Sequence, residues 1–125
     1  MIERLKVLHY NVGRQRHVQD SVMNDVALSG LTMLAIVEPY LYADPHTGEG
    51  NCGSHTTWRA LTPTLHRHHS YMQFGYTALL WVNCMVLVVQ VPVPSCDIVA
   101  ATVRTANGVV LVISAYDPTT KGAEL

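Results

Sequence analysis

The sequence predicts an α/β (α+β) protein in which two mixed sheets pack together and a helix lies outside them. Three observations predict this class: a strand, helix and strand over residues 5–38, a polar segment over residues 41–67, and four β-type apolar segments from residue 77 onward. Because 125 residues suffice for one domain with a buried core, residues 1–125 are assigned to a single domain.

Hydrophobic periodicity predicts the first three elements. Residues 5–10 form the first predicted strand, and valines recur about every four residues over residues 14–28, which is one face of an amphipathic helix. Gly30 stands where a helix commonly ends. The apolar run of residues 33–37 has no period, so it suits a strand buried on both faces. A strand, a helix and a second strand in succession form a crossover connection, which implies that the two strands are parallel neighbours.

The later segments predict an antiparallel meander after the long polar loop. The remaining predicted strands cover residues 58–61, 77–82, 85–91, 97–104 and 109–115. Asn107-Gly108 predicts a two-residue hairpin turn, because both residues tolerate positive φ. The apolar stretch of residues 78–93 contains Asn83 and Gln90, so it predicts two strands joined near Asn83 rather than a transmembrane helix.

Composition limits the classes of function. A charged fraction of 14%, a net charge of −1 and an apolar fraction of 49% predict a folded chain without a strong basic field, so any contacts with DNA would be local. Cys52, Cys84 and Cys96 form no C-x-x-C pair, and their odd number suits a reducing, intracellular compartment. Residues 1–6 contain no apolar segment of secretory length, so no signal peptide is predicted.

Three predicted strands end at residues that carry chemistry. Pro39 ends the central strand and restricts Glu38 to extended geometry, while the first and last strands end at Asn11 and Tyr116. In open α/β sheets, ligands bind at the carboxyl ends of the strands. We therefore expect Asn11, Glu38 and Tyr116 to lie at one end of the sheets, which we call the rim. For each residue taken singly, the alternative is a solvated surface position.

Four short motifs carry a resemblance to a known family. They are LKVLHYNV (residues 5–12), LAIVEPYLY (34–42), ALLWVN (78–83) and LVISAYDP (111–118), and the resemblance lies in their order and spacing as well as in their residues. Together they resemble the N-terminal half of the endonuclease/exonuclease/phosphatase superfamily (DNase I-like, exonuclease III-like), and most of all the endonuclease domain of non-LTR retrotransposons. The resemblance covers nearly the whole chain. It implies part of a four-layered α/β/β/α sandwich with mixed sheets, here truncated.

The resemblance implies a DNA endonuclease that depends on Mg²⁺ or Mn²⁺. Asn11 matches the asparagine that helps to position the metal and the phosphate, Glu38 matches the metal-binding glutamate, and Tyr116 matches the tyrosine that contacts the phosphate. Asn11, Glu38 and Tyr116 are thus the candidate catalytic residues, with Glu38 and Asn11 at the metal. Magnesium prefers hard oxygen ligands and takes one or two carboxylates, which fits this set. A retrotransposon protein of this kind would act on DNA in the nucleus.

The chain departs from the family pattern in ways that predict an incomplete site. The Asp-x-Asn and Ser-Asp-His-like motifs are absent, so a positioned general base for the attacking water is missing. Val37 stands where glutamine is common, and residues 117–120 (DPTT) replace an apolar residue and prolines. The alternative function is a non-catalytic remnant or an interaction module whose open sheet pairs with a partner. An exposed sheet edge also predicts self-association.

Other polar and aromatic residues have competing interpretations. His46, His55 and residues 66–69 (HRHH) suit a solvated loop, contacts with a DNA backbone, or a zinc site that lacks a cysteine pair. Three basic residues precede or begin the predicted helix: Arg14, Arg16 and His17. They either hold a phosphate at the helix N-terminus or form a solvated face. Tyr40 and Tyr42 either stack on a nucleobase or are half-buried, and Trp58 and Trp81 are expected in the core.

Overall fold

The computed structural model describes residues 2–46, 50–65 and 75–117. Its elements are β1 (Val7–Asn11), α1 (Arg16–Met23), a short 3₁₀ helix (Val26–Leu28), β2 (Met33–Val37), β3 (Tyr42–Ala43), β4 (Gly50–Asn51), β5 (Trp58–Leu61), β6 (Ala78–Asn83), β7 (Val88–Val91), β8 (Ile98–Thr105) and β9 (Gly108–Ala115). The strands form a four-stranded sheet of order β1-β2-β6-β5, a three-stranded sheet of order β7-β8-β9, and the β3-β4 pair. Only β1 and β2 pair in parallel among these strands, so the predicted α/β class with mixed sheets is confirmed.

The central strand β2 is buried along its whole length. Leu34 and Ile36 point to the cluster that α1 covers, whereas Met33 and Ala35 point to a second cluster shared with β8 and β9. Successive side chains of a strand face opposite ways, so an apolar run without a period places a core on each side of the sheet. The prediction of a doubly buried strand, with a helix outside and a second sheet opposite, is confirmed.

The predicted helix is longer than the observed one. The structure ends α1 at Met23 and continues with the 3₁₀ helix, so Gly30 does not close α1. The Asn24 side chain donates to the Asp20 carbonyl (2.8 Å), and the Asp25 carboxylate accepts from the Ala27 N–H (2.9 Å). Short polar side chains that bond the nearby backbone in this way compete with continued helix.

The predicted meander is wrong for its first strand. β6 pairs with β2 and β5 in the four-stranded sheet, and the chain then crosses to the other sheet before β7. Only β7, β8 and β9 form the meander in the described part of the chain. The last hairpin turn is also displaced by one residue, because Thr105 pairs with Gly108 and leaves Ala106 and Asn107 as the turn. The strands β3 and β4 were not predicted, since two residues are too few to show a period.

The three-stranded sheet has an apolar outer face. Val89, Leu111 and Ile113 share that face, and each is more than half exposed. A folded monomer rarely leaves such aliphatic side chains together in water. Cys52, Cys84 and Cys96 form no disulfide with one another. In the described ranges, no helix has the length and apolar character needed to cross a membrane.

Candidate functional site at the rim

Asn11 and Glu38 meet at the rim, where the two parallel strands end. Asn11 is the last residue of β1 and pairs with Val37 in β2. Its Nδ2 donates to Glu38 Oε1 at 3.1 Å, and its Oδ1 accepts from the Gly13 N–H at 2.8 Å. Gly13 has a φ of +62°, which glycine adopts at little cost, so the chain turns tightly beneath the amide. The amide of Asn11 thus fixes one carboxylate oxygen of Glu38.

Glu38 has a left-handed backbone, which corrects the extended geometry predicted from Pro39. Its φ is +50°, a region that residues with a side chain rarely adopt. The Glu38 N–H donates to the Thr77 carbonyl (2.8 Å), and its carbonyl accepts from the Arg14 N–H (2.8 Å). These two bonds hold a conformation that costs on the order of 1–3 kcal/mol, and such strain clusters at functional sites.

Tyr116 lies at the same rim, just beyond the end of β9, and is linked to Glu38 through hydrogen bonds. The Tyr116 N–H donates to the Asp97 carbonyl (2.9 Å), and the Asp97 carboxylate accepts from the Thr77 hydroxyl. Thr77 in turn provides the carbonyl that holds the Glu38 N–H. The three predicted residues therefore share one end of both sheets, with Asn11 and Glu38 in direct contact and Tyr116 joined to them through Thr77 and Asp97.

Sequence reasoning missed Thr77 and Asp97. Thr77 directly precedes β6, which runs antiparallel to β2, and Asp97 directly precedes β8, which runs antiparallel to β9. Each residue therefore lies at the rim, where β2 and β9 end. Thr77 is buried and Asp97 is half-buried. The predicted strand bounds contained a signal for both residues, because two predicted strands begin at residues 77 and 97. The start of an antiparallel strand lies beside the end of its neighbour, which here is the rim.

Replacing Thr77 by valine is expected to lower the free energy of unfolding by about 1–3 kcal/mol. The substitution keeps the shape but removes a donor to a half-buried carboxylate, and hydrogen bonds to charged groups carry about that value. Urea denaturation followed by circular dichroism measures the change. Thr102→Val is the matched control. The Thr102 hydroxyl lies 3.5 Å from the Val89 carbonyl, at the limit of a hydrogen bond, so its removal should change the free energy of unfolding little. Equal losses in both variants would contradict a bond between the sheets at Thr77.

One cation and two aromatic rings cluster between α1 and the segment that follows Glu38. The Arg16 guanidinium lies 5.3 Å from the centroid of the Tyr42 ring, and the rings of Tyr40 and Tyr42 meet edge to face at 5.0 Å. The buried Gln19 amide binds both backbone groups of Tyr40, donating to its carbonyl (3.2 Å) and accepting from its N–H (2.9 Å). Gln19, which sequence reasoning also missed, therefore fixes the segment after Glu38 to the helix.

The donor set at the rim fits one hard divalent cation with few protein ligands. Glu38 supplies a half-buried carboxylate, and Asn11 supplies an amide in contact with it. Magnesium keeps several waters and takes one or two carboxylates, so this set is sufficient in type. Over the described ranges, no group of three or more His, Cys, Asp or Glu residues could hold a metal.

The histidines do not form a zinc site in the described ranges. His55 Nε2 lies 3.0 Å from Asn24 Oδ1, and its Nδ1 accepts from the Thr57 N–H at 3.0 Å. Both ring nitrogens of His55 are therefore engaged, and no metal-holding group that includes His46 or His55 is present among the described residues. The predicted histidine loop, residues 66–69, lies outside the described residues.

The remaining predictions near the site have mixed outcomes. Trp58 and Trp81 are buried in the core, as predicted. Tyr42 is exposed and Tyr40 is half-buried, which leaves a stacking role for Tyr42 as a prediction. Helix α1 begins at Arg16 after Gln15, whose side chain makes no capping hydrogen bond, and Arg14 precedes it with a φ of +59°.

Comparisons with known proteins support the fold. No protein-family model and no curated protein matches the chain. The solved structure of the endonuclease domain of TRAS1, a telomere-specific non-LTR retrotransposon, matches with a TM-score of 0.64 and 19% sequence identity over 97% of this chain and 50% of that chain. This chain therefore spans about half the length of that structure. Over that half, the protein shares the α/β fold of that structure.

Proposed function

We propose that this chain is the N-terminal part of a divalent-metal-dependent phosphodiesterase, a DNA endonuclease domain of retrotransposon type that is catalytically incomplete alone. The observation that carries the proposal is the contact between Asn11 Nδ2 and Glu38 Oε1 at the rim. The fold shared with the TRAS1 endonuclease domain supports the reaction class. In a retrotransposon protein of this class, the substrate is DNA and the compartment is the nucleus.

The chemistry of the residues fits this reaction. Glu38 would hold Mg²⁺ or Mn²⁺ through its carboxylate, and Asn11 orients that carboxylate while its Oδ1 offers a second lone pair to the cation. A bound cation supplies charge stabilisation at the phosphoryl and leaving oxygens. The Tyr116 hydroxyl is a neutral donor for a phosphate oxygen, so it adds no repulsive charge. The chain lacks the motifs that would provide a general base.

Nicking of supercoiled plasmid in Mg²⁺ tests the proposed reaction. Because the chain lacks the general base, we expect at most slow residual nicking by the wild-type chain, and this should disappear in Glu38→Ala because the carboxylate at the rim is lost. Chelation of the metal with EDTA should have the same effect as the substitution. Equal nicking by the wild-type and Glu38→Ala proteins would remove Glu38 from the mechanism.

The second candidate function is an interaction module, favoured by the apolar outer face of the three-stranded sheet. Val89, Leu111 and Ile113 form an aliphatic surface there, with Arg104 on the same face, and the sheet has only three strands in the described residues. The occupant that we assign is a second copy of this chain, since an aliphatic sheet face stacks on its own equivalent about 10 Å away. This function needs no metal.

Self-association is expected to depend on this outer face. Sedimentation velocity over a hundredfold range of protein concentration should show dimers or larger species for the wild-type chain. Leu111→Glu should shift association to at least tenfold higher concentration, because a carboxylate in the middle of the aliphatic face would lose its hydration on association. Leu65→Glu is the matched control, since Leu65 is equally exposed (52% against 54%) but lies outside the sheet. A clean monomer at every concentration would contradict the second candidate.

A further inference from the structure

Asp97 makes hydrogen bonds in two directions at the rim. Its backbone carbonyl accepts from the Tyr116 N–H at 2.9 Å, and its carboxylate accepts from the Thr77 hydroxyl. Its own N–H donates to the Ser95 hydroxyl oxygen at 3.0 Å, which fixes the segment that leads into β8. One bond therefore reaches Tyr116 directly, and another reaches Thr77, the residue that holds the Glu38 N–H.

Thr77 relays the bond from the Asp97 carboxylate to Glu38. Thr77 is 1% exposed, and its carbonyl accepts from the Glu38 N–H at 2.8 Å. Its hydroxyl also lies 3.5 Å from the Cys96 carbonyl, at the limit of a hydrogen bond, so the Asp97 carboxylate is the better acceptor. A buried hydroxyl without a good partner costs about 1–3 kcal/mol. Loss of the carboxylate would therefore favour a new position of Thr77, and its carbonyl would move with it.

The Thr77 carbonyl helps to decide the backbone geometry of Glu38. A φ of +50° is unfavourable for a residue with a side chain, and Pro39 favours extended geometry at the residue before it. The bond from the Glu38 N–H to the Thr77 carbonyl opposes both preferences. A return of Glu38 to extended geometry would reorient its side chain and break the 3.1 Å contact with Asn11.

The packing of the two sheets has support that does not depend on Asp97. The Ser114 hydroxyl, which is buried, donates to the Ile36 carbonyl of the opposite sheet at 3.4 Å. An apolar cluster that includes Leu80 and Val99 also lies between the sheets. We therefore expect substitutions of Asp97 to change the geometry of the rim while the sheets stay packed.

We propose that Asp97 is a positioning residue of the rim, which holds the backbone of Glu38 through Thr77 and the backbone of Tyr116 directly. In this way it sets the separation between the candidate metal ligand, which follows β2, and the candidate phosphate contact, which follows β9. The effect on metal affinity rests on the proposed function, whereas the effect on the Glu38 backbone does not. Removal of a residue that supports a metal ligand typically lowers metal affinity 10–100-fold.

NMR of the protein in EDTA tests the backbone effect without a metal. The NOE between the N–H and Hα of Glu38 reports its left-handed backbone, because these two hydrogens are closest at positive φ. Asp97→Ala should weaken this NOE and shift the amide resonances of Glu38 and Tyr116. Asp97→Asn should preserve the NOE, because the amide oxygen still accepts from the Thr77 hydroxyl. An unchanged NOE in Asp97→Ala, or an equal loss in both variants, would overturn the inference.

Asp44→Ala is the matched control for the loss of a carboxylate. Asp44 is also half-buried, and its carboxylate accepts from the His46 N–H at 2.8 Å, so the substitution removes the same charge and a hydrogen bond. It should leave the Glu38 NOE unchanged, and a loss equal to that in Asp97→Ala would contradict a specific role of Asp97. If Asp97→Ala does not fold, Thr77→Val breaks the same bond with the side-chain shape kept and should weaken the NOE likewise.

Mn²⁺ titration followed by electron paramagnetic resonance tests the effect on the metal. Asp97→Ala should lower the affinity about tenfold, and Asp97→Asn should restore it to within about threefold of the wild type. If Asp97→Ala weakens the Glu38 NOE but the wild-type chain binds no Mn²⁺, the positioning of the backbone stands and the metal-dependent function falls. If the wild-type chain binds Mn²⁺ and Asp97→Ala changes neither the NOE nor the affinity, only the positioning role falls.

Discussion

Replacement of Glu38 by glutamine is expected to weaken Mn²⁺ binding about 100-fold or more. The substitution keeps the side-chain size but removes the carboxylate that Asn11 orients at the rim. Loss of a residue that merely supports a ligand already costs 10–100-fold in metal affinity, so loss of the ligand itself should cost at least as much. Electron paramagnetic resonance of free Mn²⁺, titrated with protein, measures the affinity directly.

The same titration has a control and an intermediate variant. Glu3→Gln makes the identical change at an exposed position near the N-terminus and should leave the affinity within twofold. Asn11→Ala keeps the carboxylate but removes its 3.1 Å partner, so the affinity should fall about tenfold. An affinity that is unchanged in Glu38→Gln, with the fold intact by circular dichroism, would contradict the metal assignment.

Replacement of Leu80 by alanine is expected to lower the free energy of unfolding by about 2–5 kcal/mol. Leu80 is 0% exposed in β6 and belongs to the cluster between the two sheets. Deletion of its methyl groups removes buried apolar surface and leaves a cavity that the surrounding strands fill only in part. Domains are stable by only about 5–15 kcal/mol, so much of the stability would be lost.

Leu87→Ala is the matched control for this prediction. Leu87 is 88% exposed beside β7, so the same deletion should change the free energy of unfolding by less than about 0.5 kcal/mol. Urea denaturation of the two variants and the wild type, followed by tryptophan fluorescence, gives both values. Similar losses in the two variants would contradict a core that lies between the sheets.

Local pattern predicted the bounds of two strands of the four-stranded sheet. The bounds of β2 and β5 agree with prediction, because an apolar run and a β-rich segment between turn residues need no long-range information. The sheet that each strand joins was not predictable in the same way. β6 is buried at five successive residues, whereas β7 alternates between half-buried and exposed residues. In the sequence, the difference appears as five successive apolar residues in β6 against the polar Gln90 within β7, and the meander prediction overlooked it.

The site was predictable where a residue ends a strand. Asn11 and Glu38 reach one rim because β1 and β2 are parallel neighbours, and Ser114 near the end of β9 bonds the Ile36 carbonyl, which places Tyr116 at the same end. The supporting residues Thr77 and Asp97 join the site through tertiary pairing and have no motif of their own. The φ of +50° at Glu38 also escaped prediction, because bonds from Glu38 to Thr77 and Arg14 override the preference that Pro39 imposes.

Paramagnetic broadening of amide resonances by Mn²⁺ tests most directly whether one cation binds where Asn11, Glu38 and Tyr116 meet. The account predicts broadening of these three amides at substoichiometric Mn²⁺, and its loss in Glu38→Gln. Thr105 at the far end of β8, about 23 Å along the strand from the rim, should stay sharp. Broadening centred on another region such as His55, or unchanged in Glu38→Gln, would contradict a shared metal site at the rim.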